Sequence, residues 1–223
     1  MLIADGFFVD SQATKDNRLP IKHHSRCETI SYLVSRRKVL RKPSSRKPVF
    51  AFWGRLTPQK NLPLALDFFS KISRLYQDAR FHILGPDGGE GSNVQGKIAS
   101  LGLGDSVTLH GAVPNQDIDD IVEDACFYLQ TSQFEGMAVS VVEAMQMGLV
   151  PIVTPVGEIA NYCEDGHNAV IFDQLDEAVQ KVVNLIEDSN AYFNLREAAM
   201  GQWQDVELYS DSFAEACERV VRT

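Results

Sequence analysis

The chain has 223 residues, of which 44% are hydrophobic and 23% charged, and its formal net charge is −9. This composition fits one well-filled globular domain with an appendage, and no apolar run reaches the roughly 18–20 residues of a membrane-spanning helix. The N-terminal sequence Met1–Asp5 lacks the basic region of a secretory signal, and the four cysteines form no C-x-x-C pair. We therefore expect a cytoplasmic protein with reduced thiols rather than disulfides or zinc.

Charge is distributed unevenly along the chain. Residues 1–47 contain 11 of the 21 Lys and Arg but only four of the 30 acidic residues, a net charge of +7 that leaves −16 for the remainder. The basic segment 15–47 is a candidate for peripheral contact with the anionic inner face of a membrane. A solvated linker is the simpler interpretation. Since no aromatic side chains suitable for base stacking are interleaved with these charges, we expect no nucleic-acid binding.

Near the N-terminus, apolar residues predict two short strands, in Gly6–Asp10 and Thr29–Val34. Two strands cannot bury a core alone, so this piece must pack on the rest of the chain or on another chain. The polar stretch 40–48, Leu-Arg-Lys-Pro-Ser-Ser-Arg-Lys-Pro, predicts a linker.

After the linker, short apolar strands alternate with helices. The predicted strands are Val49–Trp53, Phe81–Gly85, Val107–His110, Cys126–Gln130, Val150–Thr154 and Ala169–Phe172. The predicted helices cover residues 62–77, 93–101, 117–124, 138–147, 158–164, 175–187, 190–200 and 211–222. This alternation predicts a doubly wound α/β fold, in which helices cover both faces of a six-stranded parallel sheet. Ligands of such sheets bind at the carboxyl ends of the strands.

The loop after the first strand of this sheet carries two cations. Gly54 allows the backbone to turn, and Arg55 and Lys60 bracket a loop that enters a predicted helix. Two cations beside a helix N-terminus suit a diphosphate. The spacing is not that of a Walker loop, and taken alone the pair is better explained as exposed surface charge.

The loop after the fourth strand carries two carboxylates. Glu135 follows the buried strand, Gly136 frees the backbone, and a predicted helix from about Ala138 places Glu143 in its early turns. Both carboxylates can then face one crevice and accept hydrogen bonds from sugar hydroxyls, while free N–H groups at the helix start meet phosphate. The alternative is a core helix whose acidic side chains point to solvent.

Together these two loops resemble the retaining GT-B glycosyltransferases of group 1, the family 4 type, over about residues 48–200. The stretches Gly102–Val107 and His110–Pro114 add to the resemblance. It implies that Arg55 and Lys60 bind the diphosphate and stabilise the leaving group, that Glu143 accepts the ribose hydroxyls and that Glu135 holds the transferred sugar. The implied catalytic residues are Arg55, Lys60 and Glu135, and the implied donor-binding residues are Gly54, Val113, Gly136, Met137, Ala138 and Glu143.

The resemblance also implies an organisation and an activity. Residues 1–47 correspond to a remnant of an N-terminal domain plus the basic linker, 48–200 to a Rossmann-like nucleotide-sugar-binding domain, and 201–223 to a C-terminal crossover helix. The implied activity is transfer of a sugar from a nucleoside-diphosphate sugar with retention, in glycan or glycolipid synthesis, without a metal or other cofactor. The expected partners are the donor and an N-terminal acceptor-binding half or a homo-oligomer mate, without which the isolated chain is expected to be inactive.

Two other functions fit the same residues. A noncatalytic nucleotide-sugar-binding module would need the donor site alone, and a nucleotide-sugar epimerase would use the same fold. The sequence departs from the family pattern after the fifth strand. The family often has Gly-Gly there, with a Glu three residues on, whereas here Gly157 is followed by Glu158 and Asn161 occupies the position of that Glu. The usual Asn-Gly turn is Asn168-Ala169. The donor base, sugar and acceptor are not specified by the sequence.

Three further residue types have structural interpretations beside their functional ones. Asp117 and Asp119 form a literal D-x-D, a metal motif elsewhere, but acidic residues at a helix start complement the helix dipole. His110 ends a strand, where it would contact the donor or form a hydrogen bond within the fold. Trp53 would stack on a ligand or pack in the core, and the end of a buried strand favours the core.

Overall fold

A computed structural model of the chain describes residues 7–9, 27–31, 33–40 and 47–221. In these ranges the strands are β1 (Phe7–Val9), β2 (Cys27–Thr29), β3 (Val49–Trp53), β4 (Arg80–Leu84), β5 (Val107–Gly111), β6 (Phe127–Gln130), β7 (Val150–Val153) and β8 (Val170–Ile171). The α-helices are α1 (Leu62–Leu75), α2 (Gly91–Ser100), α3 (Ile118–Ile121), α4 (Val139–Met147), α5 (Ile159–Tyr162), α6 (Leu175–Glu187), α7 (Ser189–Gly201) and α8 (Tyr209–Val221).

The predicted doubly wound sheet is confirmed. Six strands pair in the order β5-β4-β3-β6-β7-β8, and every neighbouring pair is parallel. The chain builds outward from β3 in one direction through β4 and β5, then returns to place β6 on the other side of β3. At this switch point the chain leaves β3 and β6 toward opposite edges of the sheet, and folds of this type bind ligands at that position. The separate pair β1–β2 is also parallel.

The centre of the sheet is held by aromatic packing around Phe50 of β3, whose side chain is fully buried. Its neighbours in register are Phe81 on β4 and Phe127 on β6, and its ring packs edge-on against Phe68 and Phe69 of α1. Large rings at the middle of parallel strands bury much apolar area and fix strand and helix against each other. The core therefore lies directly beneath the loops that leave β3 and β6.

The predicted helices and strands are present, with most boundaries displaced by one to three residues. The larger correction concerns the second N-terminal strand, predicted over Thr29–Val34, because β2 ends at Thr29. Beyond it the Leu33 carbonyl accepts a hydrogen bond from Tyr209 N–H at 2.8 Å. The backbone here is thus satisfied by the start of α8 instead of by a sheet neighbour, which apolar alternation cannot reveal.

The predicted linker over 40–48 starts inside the packed structure. Leu40 is buried, its N–H donates to the Met147 carbonyl at 2.9 Å, and its own carbonyl accepts from Arg196 at 2.9 Å. Residues 41–46 lie outside the described ranges, as do most of the basic segment 15–47 and the ends of the first predicted strand. The segment 33–40 is therefore docked on the sheet domain before the polar stretch begins.

The four cysteines are free; Cys27, Cys126 and Cys163 are buried and Cys217 is partly buried. Burial raises the pKa of Cys126 to about 11 and that of Cys163 to about 12, so both remain protonated thiols at neutral pH. Among the described residues, every helix is too short or too polar to cross a bilayer.

The aromatic cluster generates a stability prediction. Phe50→Ala should lower the free energy of unfolding by about 3–5 kcal/mol, because it removes a fully buried ring from a rigid site. Phe134→Ala is the matched control, since that ring is 62% exposed and should change stability by about 0.5 kcal/mol or less. Urea unfolding at constant slope measures both. Equal losses in the two variants would show that the cluster is not the core of the sheet.

Candidate functional site

The switch point between β3 and β6 brings the two predicted loops together. Backbone and side-chain hydrogen bonds tie them: Gln133 N–H donates to the Gln59 carbonyl at 2.9 Å, and Gln59 Nε2 donates to the Phe134 carbonyl at 2.8 Å. Thr131 Oγ1 donates to the Asn61 carbonyl at 2.9 Å. The two loops therefore form one connected rim at the carboxyl edge of the sheet, as expected for a ligand site in this topology.

The loop after β3 turns sharply. Gly54 has φ of +153°, and Gly85, at the end of β4, lies so close that a Cβ there would be 1.9 Å from the Gly54 carbonyl oxygen. Arg55 is exposed, and its guanidinium has no ion pair within the described part of the chain. Lys60 ends a short 3₁₀ turn, Pro58–Lys60, that leads into α1. The rim therefore carries two cations, of which Arg55 is exposed and Lys60 is half-buried.

Lys60 is paired with Glu135. Its Nζ lies 2.6 Å from Glu135 Oε1, and the two side chains are 15% and 7% exposed. Gln130 Nε2 donates to the same carboxylate oxygen at 3.2 Å, and Gln130 Oε1 accepts from Ser140 at 3.0 Å and lies 3.0 Å from the Tyr128 hydroxyl. Burial raises the pKa of Tyr128, which keeps its hydroxyl as a donor. A polar network inside the sheet edge therefore fixes the position of Glu135.

The second carboxylate, Glu143, lies on the second turn of α4, the helix that follows the Glu135 loop. Trp53 Nε1 donates to its Oε2 at 2.8 Å, and Arg37 Nη2 donates to its Oε1 at 2.7 Å. Asn115 Nδ2 approaches Oε1 at 3.4 Å, and Arg37 also pairs with Asp119 at 3.1 Å. Trp53 is 4% exposed, so it is both a core residue, as predicted, and a hydrogen-bond donor to the site.

The helix start between the two carboxylates carries an unusual backbone. Ala138 has φ of +52°, and one other described non-glycine residue, Asn61 at +48°, shares the left-handed conformation. Both lie at the site, one in each of its loops. Within the described ranges no side chain caps the N-terminus of α4, so its first N–H groups are available to an anion. Left-handed non-glycine residues that persist in a fold concentrate at functional sites.

The loop after β7 supports the one that carries Glu135. Glu158 N–H donates to the Gly136 carbonyl at 3.0 Å, and a Cβ on Gly157 would lie 2.1 Å from the Glu135 carbonyl oxygen. Asn161 Nδ2 donates to Glu158 at 3.0 Å. Gly157 and Glu158, where the sequence departs from the family pattern, thus contact the backbone of the Glu135 loop and support it. We call these two contacts the brace behind Glu135.

The other sequence candidates have clear positions. Asp117 and Asp119 open α3, as predicted, and Asp119 binds Arg37. The strand-end hydrogen bond expected as one alternative for His110 is present, because its Nε2 lies 3.0 Å from His82 Nδ1. Burial lowers the pKa of both rings, with the nearby His82 adding to the shift at His110, so both are neutral at pH 7. No group of three or more potential metal ligands occurs among the described residues.

A cleft of about 230 Å³ adjoins Glu143. Its lining residues are Leu33, Val34, Ser35, Asn115, Val139, Val142 and Glu143. Val113, implied near the donor base, is half-buried in the loop after β5, two residues before Asn115.

Sequence reasoning did not find Arg37, Asn115 or Gln130, because each reaches the site from a segment without a local motif. The basic composition around Arg37 was the one available signal, and it indicated surface charge.

Comparisons with known proteins identify relatives of the whole sheet domain. The sequence profile of the family described as Glycosyl transferases group 1 matches residues 36–202. Mannosylfructose-phosphate synthase of Agrobacterium fabrum is 30% identical over 133 residues, which cover 56% of this chain and 29% of that protein. The phosphatidylinositol N-acetylglucosaminyltransferase GPI3 subunit of Saccharomyces cerevisiae is 29% identical over 177 residues, 74% of this chain and 38% of the subunit. The chain thus spans less than half the length of these relatives.

Solved structures share the architecture. TarM of S. aureus, in a complex with fondaparinux, α-GlcNAc-glycerol and UDP, matches with a TM-score of 0.82 and 19% identity, over 98% of this chain and 44% of TarM. Anabaena HepE in complex with UDP and glucose matches with a TM-score of 0.81 and 18% identity, over 99% of this chain and 64% of HepE. At these identities the likeness establishes the fold.

The brace behind Glu135 generates a prediction with a matched pair of glycines. Gly157 and Gly166 both have left-handed backbone, with φ of +58° and +73°, but only Gly157 has atoms within 4 Å of an added Cβ. Gly166→Ala should cost about 1–2 kcal/mol from backbone strain alone. Gly157→Ala should cost clearly more, since the Glu135 loop must also move. Chemical unfolding of the two variants measures the difference, and equal costs would rule out the brace.

Proposed function

The chain belongs to the glycosyl transferases group 1 family, and its sheet domain has the Rossmann-like α/β fold of one half of a GT-B enzyme. On this premise we propose that it is the nucleotide-sugar-binding half of a glycosyltransferase. The proposed reaction transfers a sugar from a nucleoside-diphosphate sugar with retention, in the synthesis of a glycan or glycolipid. The observation that carries the proposal is the meeting of two anchored carboxylates, two cations and an uncapped helix start at the switch point of the sheet.

Each part of this arrangement suits one part of a donor. The exposed Arg55 and the N-terminus of α4 offer donors to a diphosphate. Lys60 has three N–H donors, of which Glu135 takes one, so the others remain for phosphate. Glu143 offers acceptors to the ribose, and Glu135, between Lys60 and the α4 start, is placed to accept from the transferred sugar.

The chemical contribution of these residues is electrostatic. As the bond between the sugar and the diphosphate breaks, negative charge grows on the leaving phosphate. Lys60, which Glu135 holds in place, and the α4 N–H groups are fixed donors to that charge, and such fixed donors lower the barrier without reorganising. The exposed Arg55 adds a mobile cation. We propose a front-side attack: the bond from the acceptor oxygen to the sugar forms on the face from which the diphosphate leaves, the bond from the sugar to the diphosphate breaks, and the acceptor proton passes to the leaving phosphate oxygen. This route gives retention without a protein nucleophile.

The relatives support a nucleotide donor without identifying its base. Two of the structural neighbours were solved with UDP. A curated relative from Xanthomonas campestris, 31% identical over 104 residues, is named for GDP-mannose. Binding experiments on this chain should therefore use both UDP and GDP.

The diphosphate site is tested by removing its cations. Arg55→Ala should weaken binding of UDP or GDP by about 1.5–3 kcal/mol, the range for hydrogen bonds to charged groups, with little change in stability because the side chain is exposed. Lys60→Ala should weaken binding similarly, and should also lower stability since it leaves the 7% exposed Glu135 carboxylate without its cation. Calorimetric titration measures the affinities. The control is Arg74→Ala, which removes an exposed cation from the far part of α1; affinities unchanged in both site variants would refute the proposed site.

Metal independence is a separate prediction. Because the proposed diphosphate ligands are side-chain cations and backbone N–H groups, donor binding should be the same in EDTA and in excess magnesium or manganese. Titrations in the three buffers measure it. A steep gain of affinity with either metal would instead favour a metal-bridged diphosphate.

A further inference from the structure

The donor site described above contains a cation that the proposed function does not use. The Arg37 side chain is 6% exposed although it belongs to the segment 33–40 outside the sheet domain. Its Nη2 donates to Glu143 at 2.7 Å, and its Nη1 donates both to Asp119 and to the Asn115 carbonyl at 3.1 Å. A planar guanidinium that bridges two carboxylates fixes the orientation of both.

The Glu143 carboxylate is held on both of its oxygens. Arg37 occupies one position on Oε1, and Trp53 Nε1 occupies one on Oε2 at 2.8 Å. Each carboxylate oxygen can accept about two hydrogen bonds. One acceptor position therefore remains on Oε2, and the second position on Oε1 is met only by the long 3.4 Å approach of Asn115, which a ribose hydroxyl would displace. Two acceptors held side by side match the two neighbouring hydroxyls of a ribose.

The local charge balance points the same way. Glu143 and Asp119 are both mostly buried, with side chains 16% and 20% exposed. Without a cation, these two carboxylates would stand together beside a site proposed to bind an anionic diphosphate. Arg37 lies between them and compensates their charge, so that Glu143 can act as an acceptor without repelling the donor.

We infer that Arg37 is a positioning residue for the donor ribose, which acts by holding the Glu143 carboxylate in the orientation that receives both ribose hydroxyls. The inference rests on the proposed function, because it takes the ribose to lie at Glu143. It assigns the preference for a nucleotide with ribose hydroxyls to Arg37, a residue outside the sheet domain.

The test compares ligands with and without the ribose diol. The purified chain is titrated with UDP and GDP and with their 2′,3′-dideoxy counterparts, and thermal unfolding confirms that each variant is folded. The wild-type chain should prefer the ribonucleotide by about tenfold or more, as expected for hydrogen bonds to a carboxylate. Arg37→Gln should reduce this preference to less than about threefold. Because it also removes the charge that compensates Glu143 and Asp119, its affinity for the dideoxy ligand should fall as well, but by less than its affinity for the ribonucleotide.

Two variants make the comparison specific. Arg37→Lys keeps the charge but replaces the planar two-nitrogen fork with a single nitrogen that fixes the orientation of Glu143 less well, so its preference should lie between those of wild type and Arg37→Gln. It carries the test if Arg37→Gln does not fold. Arg36→Gln is the matched control, because Arg36 anchors the same segment through the Trp203 and Val206 carbonyls and touches neither carboxylate. It should keep the full preference.

The possible failures are distinguishable. If the wild-type chain binds neither nucleotide, the proposed function and this inference both fail. If it binds and prefers the ribonucleotide, but Arg37→Gln or the folded Arg37→Lys keeps that full preference, this inference alone is overturned. Equal loss of affinity for both ligands in the Arg37 variants, or loss of the preference in Arg36→Gln, would assign the effect to docking of the segment and would also overturn it.

Discussion

The adjacency of β3 and β6 at the centre of a parallel sheet is the constraint on which the rest of the structure depends. Because the chain leaves these neighbours toward opposite edges, their loops meet at the edge of the sheet where ligands of this fold bind. The aromatic packing around Phe50 fixes both strands beneath it. Gly85 and Gly157 then let their backbones approach the carbonyls of Gly54 and Glu135 closely, and Lys60 pairs with Glu135 between the two loops. The site therefore follows from strand order and close packing, and not from any single motif.

Each of the two site carboxylates forms an ion pair with a cation of the protein itself. Glu135 is paired with Lys60, and Glu143 with Arg37. Mostly buried carboxylates need such partners, since an uncompensated charge in this position is costly. The same pairing suits an anionic ligand, because it removes the repulsion that two bare carboxylates would exert on a diphosphate. Arg55 differs in being exposed and unpaired within the described chain, and so remains open to the ligand.

Structural features that depend on local sequence could be predicted, whereas features that depend on contacts between distant segments could not. The apolar run of β3 was predicted with its observed bounds, and the residues of both site loops fell where strand ends predicted them. Arg37 could not be placed, because its reach to Glu143 depends on how segment 33–40 docks. The strand expected over Thr29–Val34 failed for the same reason, since α8 supplies its hydrogen-bond partners. The left-handed Ala138 has no local signal, because alanine rarely adopts that conformation.

The proposed donor site is tested most directly by a crystal structure of the chain with bound UDP or GDP. We expect the diphosphate between Arg55, Lys60 and the start of α4, with phosphate oxygens about 3 Å from the donor nitrogens, and the ribose hydroxyls on Glu143. A nucleotide bound elsewhere on the chain, or one whose phosphates contact neither Arg55 nor Lys60, would contradict this proposal.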